Sequence, residues 1–204
     1  MSKDLYIYGA GGHAKVAAAT ARRCGYVIKG FWEDSKARVG MDFFGSRIIA
    51  YDDVPAGAEV FIAFGDNEIR LKKGRELQGR FRFPALIHPS AQVADGAKIG
   101  DGCYIGALGN LDPDCAIGAF SIINKMVNVS HDVKIGNGCH ISVGTIVAGG
   151  CVIDDFAFLG IGVRVIPHVH IGSRSIIGAG AVVIRDVESG VTAVGCPAKT
   201  ISRH

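Results

Sequence analysis

Between Ile87 and Glu188 the apolar and polar positions follow a six-residue period without interruption. Each of seventeen consecutive units begins with Ile, Val or Leu, and its fifth place holds a small residue or a valine. A strict six-residue period is typical of a parallel β-helix. Because side chains alternate along a strand, the first and fifth residues of each unit point inward. With three units to a coil, the pattern predicts about 5.7 coils around an aliphatic interior.

Four of the six cysteines occupy the fifth place of a unit. This place needs a small inward side chain, and a thiol packs there as a small hydrophobe. Cys103 and Cys139 are 36 residues apart, as are Cys115 and Cys151, so each pair is separated by two coils, or roughly 9–10 Å. A disulfide needs Cα atoms within about 7 Å. The spacing therefore predicts four buried, unreactive thiols and no disulfide.

One histidine with an adjoining carboxylate falls on a predicted corner of the coil. His131 beside Asp132 suits general-base catalysis, although an exposed histidine on a repeat is otherwise surface decoration. Gly149 lies 18 residues further on, one coil along the same corner, and leaves it free of a side chain. His140 falls on the opposite flat face, so it cannot meet His131 within one chain. Since a three-sided prism packs well around a threefold axis, we expect a homotrimer with sites between subunits.

His168 and His170 form an H-x-H pair on one strand. A tetrahedral zinc site needs further ligands, and no Cys or His set here has metal-site spacing. We interpret the pair as surface decoration and expect no metal. A metal-dependent hydratase of the gamma carbonic anhydrase type is disfavoured for the same reason.

The segment before the repeat predicts a small, Rossmann-like α/β half-domain. Residues Gly9–Ala14 match a G-x-G-x-x-A turn between a strand and a helix, whose amides favour phosphate. A second strand ends in Glu33 and Asp34, where an acidic residue meets a ribose. A dinucleotide fold needs two such halves, so a nucleotide-sugar fits this segment better than NAD. A purely structural glycine turn remains an alternative.

Composition and charge limit the partners. The chain is 49% hydrophobic with a formal net charge of +3, and it has no concentrated basic face for nucleic acid. Its densest basic stretch, Arg70 to Arg82, is interpreted as a solvated helix face. No run approaches the roughly 20 apolar residues of a membrane span, and no N-terminal stretch resembles a secretion signal. We therefore expect a cytoplasmic protein.

Five motifs give the chain a resemblance to a known family. They are YGAGGH at 8–13, the acidic pair at 33–34, FGDNEIR at 64–70, SHD at 130–132 and GCPAK at 195–199. With them the chain resembles bacterial nucleotide-sugar N-acetyltransferases of the left-handed β-helix type, including the bacillosamine-pathway enzymes, and the related sialic acid O-acetyltransferases. The resemblance implies a left-handed coil, against the general preference for right-handed crossovers.

The resemblance also implies roles for single residues. His131 corresponds to the family's general base and Asp132 to its acidic neighbour. The positions that correspond to nucleotide-sugar contacts are Gly11, Gly12, His13, Glu33, Asp34 and Gly65. Those that correspond to acetyl-CoA contacts are His140, Gly149, Ile161 and Ala179.

We therefore expect an enzyme that transfers the acetyl group of acetyl-CoA to the amine of a UDP- or dTDP-linked amino-dideoxy sugar, with the Gly149 N–H as donor to the oxyanion. Residues 1–86 would bind the nucleotide-sugar, 87–188 would form the transferase β-helix, and the tail 189–204 would lie near acetyl-CoA. Two other functions stay open: O-acetylation of a sialic-acid-like sugar, and a non-catalytic nucleotide-sugar-binding scaffold.

Overall fold

The computed structural model describes residues 3–204. The N-terminal part forms a three-stranded parallel sheet with one helix on each side. The strand order is β2-β1-β5, so the carboxyl ends of all three strands lie at one edge. The elements are β1 (Lys3–Tyr8), α1 (Gly12–Arg23), β2 (Tyr26–Trp32), the short hairpin β3 (Asp42–Phe43) and β4 (Ser46–Arg47), β5 (Val60–Ile62) and α2 (Asn67–Glu76), with 3-10 turns at Lys36–Arg38 and Tyr51–Asp53.

The two helices bury different faces of this sheet. Alanine has the highest helix propensity, and α1 packs an alanine face against the sheet and against the outer surface of the β-helix at Tyr104 and Ile122. Helix α2 begins where the Asp66 carboxylate accepts a hydrogen bond from the Ile69 N–H (2.8 Å), which is a favourable N-cap. It covers the opposite face with Leu71.

The six-residue repeat forms the three-sided parallel coil that its pattern predicts. Partner strands are 18 residues apart, as in Asn110 opposite Asn128, so three units make one coil. The first face consists of β6 (Leu86–Ile87), β9 (Tyr104–Ile105), β12 (Ile122–Ile123), β15 (His140–Ile141), β18 (Phe158–Leu159) and β21 (Ile176–Ile177). The second face consists of β7 (Gln92–Val93), β10 (Asn110–Leu111), β13 (Asn128–Val129), β16 (Ile146–Val147), β19 (Arg164–Val165) and β22 (Val182–Val183). The third face consists of β8 (Lys98–Ile99), β11 (Ala116–Ile117), β14 (Lys134–Ile135), β17 (Val152–Ile153) and β20 (His170–Ile171). This architecture confirms the predicted fold class, a small α/β unit followed by a parallel β-helix.

The interior is the aliphatic column expected from the repeat. The first residues of the inner units and the small fifth-place residues form one buried cluster. The four fifth-place cysteines are buried free thiols. Burial raises the pKa of Cys103 and Cys115 to about 11 and that of Cys139 to about 12. Because the thiolate is the nucleophile, these groups are unreactive packing residues.

The chain ends on the first face. Strand β23 (Val191–Val194) continues that face in parallel, and β24 (Lys199–Arg203) folds back antiparallel onto it. Neither helix in residues 3–204 has the length and apolarity needed to cross a membrane.

The N-terminal part is fixed to the β-helix along the corner between the third and first faces. We call this line the seam and define it by Phe120, Gly138, Phe156 and Arg174, which stack at 18-residue intervals. The start of α2 follows it, and the Asn67 side chain donates to the Phe156 carbonyl (3.0 Å), while Arg174 pairs with Glu68 (2.8 Å). The interpretation of the basic stretch as a solvated helix face is wrong at Arg70, which is fully buried under this seam.

Candidate active site

His131 and Asp132 lie together on the corner between the second and third faces. The Asp132 Oδ2 atom is 2.8 Å from His131 Nδ1. A carboxylate only accepts hydrogen bonds, so Nδ1 carries the imidazole proton and Nε2 is left as an acceptor. Both side chains are 66% exposed. The pair therefore presents a basic nitrogen outside the β-helix, as the sequence predicts.

Gly149 lies directly beneath the His131 ring. A Cβ atom placed on Gly149 would lie 2.7 Å from His131 Nε2. The backbones of the two coils are joined by a hydrogen bond from the Gly150 N–H to the His131 carbonyl (3.0 Å). Within residues 3–204 the Gly149 N–H donates no hydrogen bond of its own. The glycine thus provides both the space for the imidazole and a free donor beside it.

A second group of polar residues surrounds His140 on the first face. Its Nε2 atom is 3.3 Å from the Asn124 side-chain amide, and its ring stacks edge-on against Phe158. Burial, with the nearby charge of Arg70, lowers the pKa of His140 to about 4. The His140 ring is therefore neutral at pH 7.

His13 lies at the start of α1, where the N-terminal part meets this face. Its ring packs edge-on against Tyr104, and its Nε2 atom is buried with no hydrogen-bond partner among residues 3–204. Burial, and then the charges of Arg70 and His140, lower its pKa to about 3. The junction of the two parts therefore contains an uncharged, buried imidazole.

Of the residues expected to contact acetyl-CoA, Gly149 lies on one corner and Ile161 and Ala179 lie on another. Ile161 and Ala179 are exposed on the corner between the first and second faces, the same corner as Asn124. Gly149 lies with His131 on the corner between the second and third faces. The whole second face separates the two groups, so one chain alone does not bring His140 and His131 together.

The positions expected to contact the nucleotide-sugar lie at the carboxyl edge of the sheet. Gly11, Gly12 and Gly65 have open space where a Cβ would be, so ligand atoms can approach their backbone. Glu33 and Asp34 line a neighbouring cavity of about 610 Å³. In open α/β sheets this edge is the usual place for a nucleotide.

The cavity has an aromatic wall and a polar rim. Tyr8 stacks on Trp32, with ring centres 4.7 Å apart, and its hydroxyl donates to Asp34. Lys73 reaches Asp34 from α2 (3.3 Å). Burial, with the Asp34 hydrogen bond, raises the pKa of Tyr8 to about 12, and the Tyr8 hydroxyl lowers the pKa of Asp34. Asp34 is thus an ionised acceptor at neutral pH.

A second histidine–carboxylate pair lies on the third face. His170 Nε2 is 2.8 Å from Asp154 Oδ2, and both side chains are partly exposed, 51% and 39%. His168 lies on the corner, with its ring over Gly150. Across residues 3–204, no group of three or more His, Cys, Asp or Glu is placed to hold a metal ion.

Several residues around these sites were missed in the sequence. Asn124 precedes His140 by 16 residues, the same offset as Asp154 to His170, so the 18-residue register was sufficient to find both pairs. Tyr8 and Trp32 are partners on neighbouring strands, and Lys73 joins them only through the docking of α2, which no sequence pattern indicates.

Two known family profiles match separate parts of the chain. Residues 4–77 match the family profile described as the PglD N-terminal domain. Residues 150–185 match the bacterial transferase hexapeptide profile of six repeats.

Solved structures similar to this chain cover nearly all of it. A histidine variant of perosamine N-acetyltransferase from Caulobacter crescentus, in complex with CoA and GDP-perosamine, is 34% identical, with a TM-score of 0.91 over 98% of this chain and 97% of that one. The acetyltransferase domain of PglB from Neisseria gonorrhoeae, in complex with acetyl coenzyme A, is 30% identical, with a TM-score of 0.90 over 98% and 100%. The chain belongs to the nucleotide-sugar N-acetyltransferases of the left-handed β-helix type.

One curated relative is much longer than this N-acetyltransferase. It is an uncharacterized protein of Acanthamoeba polyphaga mimivirus, 31% identical over 131 residues. The match includes 60% of this chain and 25% of the viral protein, so the chain spans about a quarter of that relative's length.

Proposed function

We propose that this protein transfers the acetyl group of acetyl-CoA to the amine of a nucleotide-linked amino sugar. Two relatives support the choice of ligands, since the Caulobacter enzyme holds CoA and GDP-perosamine together and the Neisseria domain holds acetyl coenzyme A. The expected UDP- and dTDP-linked sugars are therefore joined by GDP-linked sugars as candidate substrates.

His131 acts as the general base in the proposed reaction. The amine nitrogen attacks the thioester carbonyl, a C–N bond forms, and the C–S bond breaks. The amine proton moves to His131 Nε2 and then to the departing CoA sulfur, so protons and electrons balance without a further reactant. Asp132, bonded to Nδ1 at 2.8 Å, holds the productive tautomer and stabilises the imidazolium that forms, as a carboxylate does in a catalytic triad.

Gly149 supplies the donor for the negative charge that develops on the carbonyl oxygen. Its N–H has no acceptor within residues 3–204, and its Cα lies beneath the His131 ring, since a Cβ there would be 2.7 Å from Nε2. Losing one such donor costs about 3 kcal/mol of transition-state stabilisation in other enzymes that transfer acyl groups.

The complete site lies between subunits of a homotrimer. The exposed large apolar residues of the second face and of its two corners are Val93, Leu108, Met126, Ile146, Ile161, Ile166 and Ile184. Burying this surface against neighbouring copies places the His131 corner of one subunit beside His140 on the first face of the next. A threefold arrangement satisfies every subunit in the same way, and it unites the two halves that one chain keeps apart.

The remaining parts take complementary roles in this proposal. Residues 1–86 hold the nucleotide-sugar through Gly11, Gly12, His13, Glu33, Asp34 and Gly65. Residues 87–188 carry the transferase site, with acetyl-CoA along His140, Ile161 and Ala179 of one subunit and Gly149 of the next. The tail 189–204 lies near acetyl-CoA, and the enzyme works in the cytoplasm, where acetyl-CoA is available.

The observation that carries the proposal is the His131–Asp132 pair over Gly149, in a chain similar along its length to sugar N-acetyltransferases. The test is CoA thiol release with acetyl-CoA and a panel of 4-amino and 3-amino sugars linked to UDP, dTDP and GDP. A sialic-acid-like hydroxy sugar belongs in the same panel. Release with an amino sugar supports the proposal, release only with the hydroxy sugar indicates O-acetylation, and binding without release indicates a scaffold.

A further inference from the structure

Arg70 is a buried cation with no carboxylate partner in the described part of the chain, residues 3–204. Its side chain is 0% exposed, and every acceptor that it contacts is neutral. The acceptors are the carbonyls of Phe64, Gly65, Asp66, Phe120, Gly138 and Cys139 and the side-chain oxygen of Asn67, at 2.6 to 3.3 Å. Removing a cation from water is costly, and an apolar side chain of similar volume is often as stable or more so. Arg70 is therefore better explained by the two parts of the chain that its hydrogen bonds connect than by a gain in stability.

The acceptors of Arg70 belong to two parts of the chain with different ligands. One part is the loop Phe64–Asn67, which contains Gly65 of the nucleotide-sugar site. The other part is the seam, where Nη2 donates to Gly138 and Cys139 (3.1 and 3.0 Å), the two residues directly before His140. The planar guanidinium presents five donors in a rigid fork, so the two parts are fixed relative to each other.

The seam is packed closely enough to transmit this position. A Cβ atom on Gly138 would lie 3.2 Å from the Asn67 carbonyl and from the Leu71 side chain. A Cβ atom on Gly74 would lie 2.4 Å from the Phe120 ring. Helix α2 is therefore in close contact with the β-helix at Gly138 and at Phe120, on either side of Arg70 along the helix.

We propose that Arg70 is a positioning residue that aligns the nucleotide-sugar loop with the strand carrying His140. The inference rests on the proposed function, because it assigns the nucleotide-sugar to the loop on one side of Arg70 and acetyl-CoA to the strand on the other side. Arg70 contacts neither ligand. It fixes the geometry in which the acceptor amine meets the thioester, and misplacement by about 1 Å can cost a hundredfold in rate.

The charge of Arg70 has a second effect on the same site. It lowers the pKa of both His13 and His140, in addition to the larger effect of their burial. A neutral ring has one donor and one acceptor nitrogen, whereas a protonated ring has two donors. Arg70 thus helps to keep both rings in the form that can accept a hydrogen bond.

The test compares Arg70→Met, Arg70→Lys and the control Arg75→Met, which changes an exposed arginine on the same helix. For Arg70→Met we expect dissociation constants for each ligand within about threefold of wild type but a kcat at least about thirtyfold lower. The NMR titration of His140 should move up by about one pH unit, because the nearby cation is gone. Arg75→Met should match wild type in all three measurements.

Arg70→Lys separates charge from geometry and remains informative where Arg70→Met fails to fold. It should leave the His140 titration low and still reduce kcat, since one ammonium cannot reach the carbonyls on both sides. A folded Arg70 variant with wild-type kcat, or one that loses binding while keeping kcat at saturation, overturns the inference. Absence of thiol release in the wild type would instead contradict the proposed function, and the titration of His140 would still report on Arg70.

Discussion

The His131 imidazole rests on the backbone of Gly149, with the space of one missing Cβ between them. That Cβ atom would lie 2.7 Å from Nε2 and from Cε1, well inside ordinary contact distance. The ring is the movable partner because it is an exposed side chain. The position of His131 Nε2 therefore depends on the absence of a side chain at Gly149, whereas the stability of the coil depends little on this contact.

Gly149→Ala tests this contact. We expect the new methyl group to push the imidazole aside, so that kcat falls at least about thirtyfold while the melting temperature stays within about 2 °C of wild type. A thiol-release assay and a thermal melt measure the two quantities. Unchanged turnover in Gly149→Ala would show that the ring position is not critical.

His131 and His170 provide a matched pair of substitutions, since each bonds a carboxylate at 2.8 Å. His131→Asn should lower kcat at least about a hundredfold, in line with the loss of a general base. His170→Asn should leave kcat unchanged, because the third face carries no proposed ligand. Equal losses in the two variants would assign the effect to a general disturbance of the coil.

A mixed trimer tests whether the site is shared between subunits. His131→Ala and His140→Ala should each have low activity as pure trimers. When the two chains are co-expressed and assemble at random, about one site in four combines an intact His131 from one subunit with an intact His140 from its neighbour. Activity should therefore return to about a quarter of wild type, whereas a site within one chain would show no recovery.

The β-helix was predictable because every six-residue unit repeats the same pattern of apolar and small residues. Once three units make a coil, the 18-residue register places His131 over Gly149 and puts the four cysteines inside. The same arithmetic also relates Asn124 to His140. Local alternation and a fixed register determine these contacts, so no knowledge of distant packing is needed.

The docking of the N-terminal part was not predictable in the same way. Arg70 lies in a stretch with five other basic residues, and charge alone favours a solvated face. Its burial depends on carbonyls at Phe120 and Gly138, about 50 and 70 residues away. Which corner α2 meets depends on shape at Gly74 and Gly138, and neither glycine stands out among 29 in the chain.

Asp34→Asn tests the nucleotide half of the site. The carboxylate accepts from the Tyr8 hydroxyl and lies 3.3 Å from Lys73, at the rim of the cavity. If Asp34 contributes equally to ground-state and transition-state binding, KM for the nucleotide-sugar should rise about tenfold with kcat unchanged. Asp42→Asn, on the exposed hairpin, is the control. A fall in kcat at constant KM would place Asp34 at the reacting centre instead.

The depressed pKa values of His13 and His140 predict a loss of stability in acid. Both rings are neutral in the folded chain down to a pH of about 3 and about 4, whereas in the unfolded chain a histidine takes up a proton near pH 6.5. Below pH 6.5 the unfolded state therefore binds more protons, and the free energy of unfolding decreases as the pH falls towards 4. Each histidine contributes a slope of up to about 1.4 kcal/mol per pH unit. Urea unfolding between pH 7.5 and 5 should show a shallower pH dependence for His140→Asn than for wild type. His170→Asn, which removes an exposed histidine, is the control. It should follow the wild-type pH dependence, and a change as large as that in His140→Asn would contradict the assignment to the buried rings.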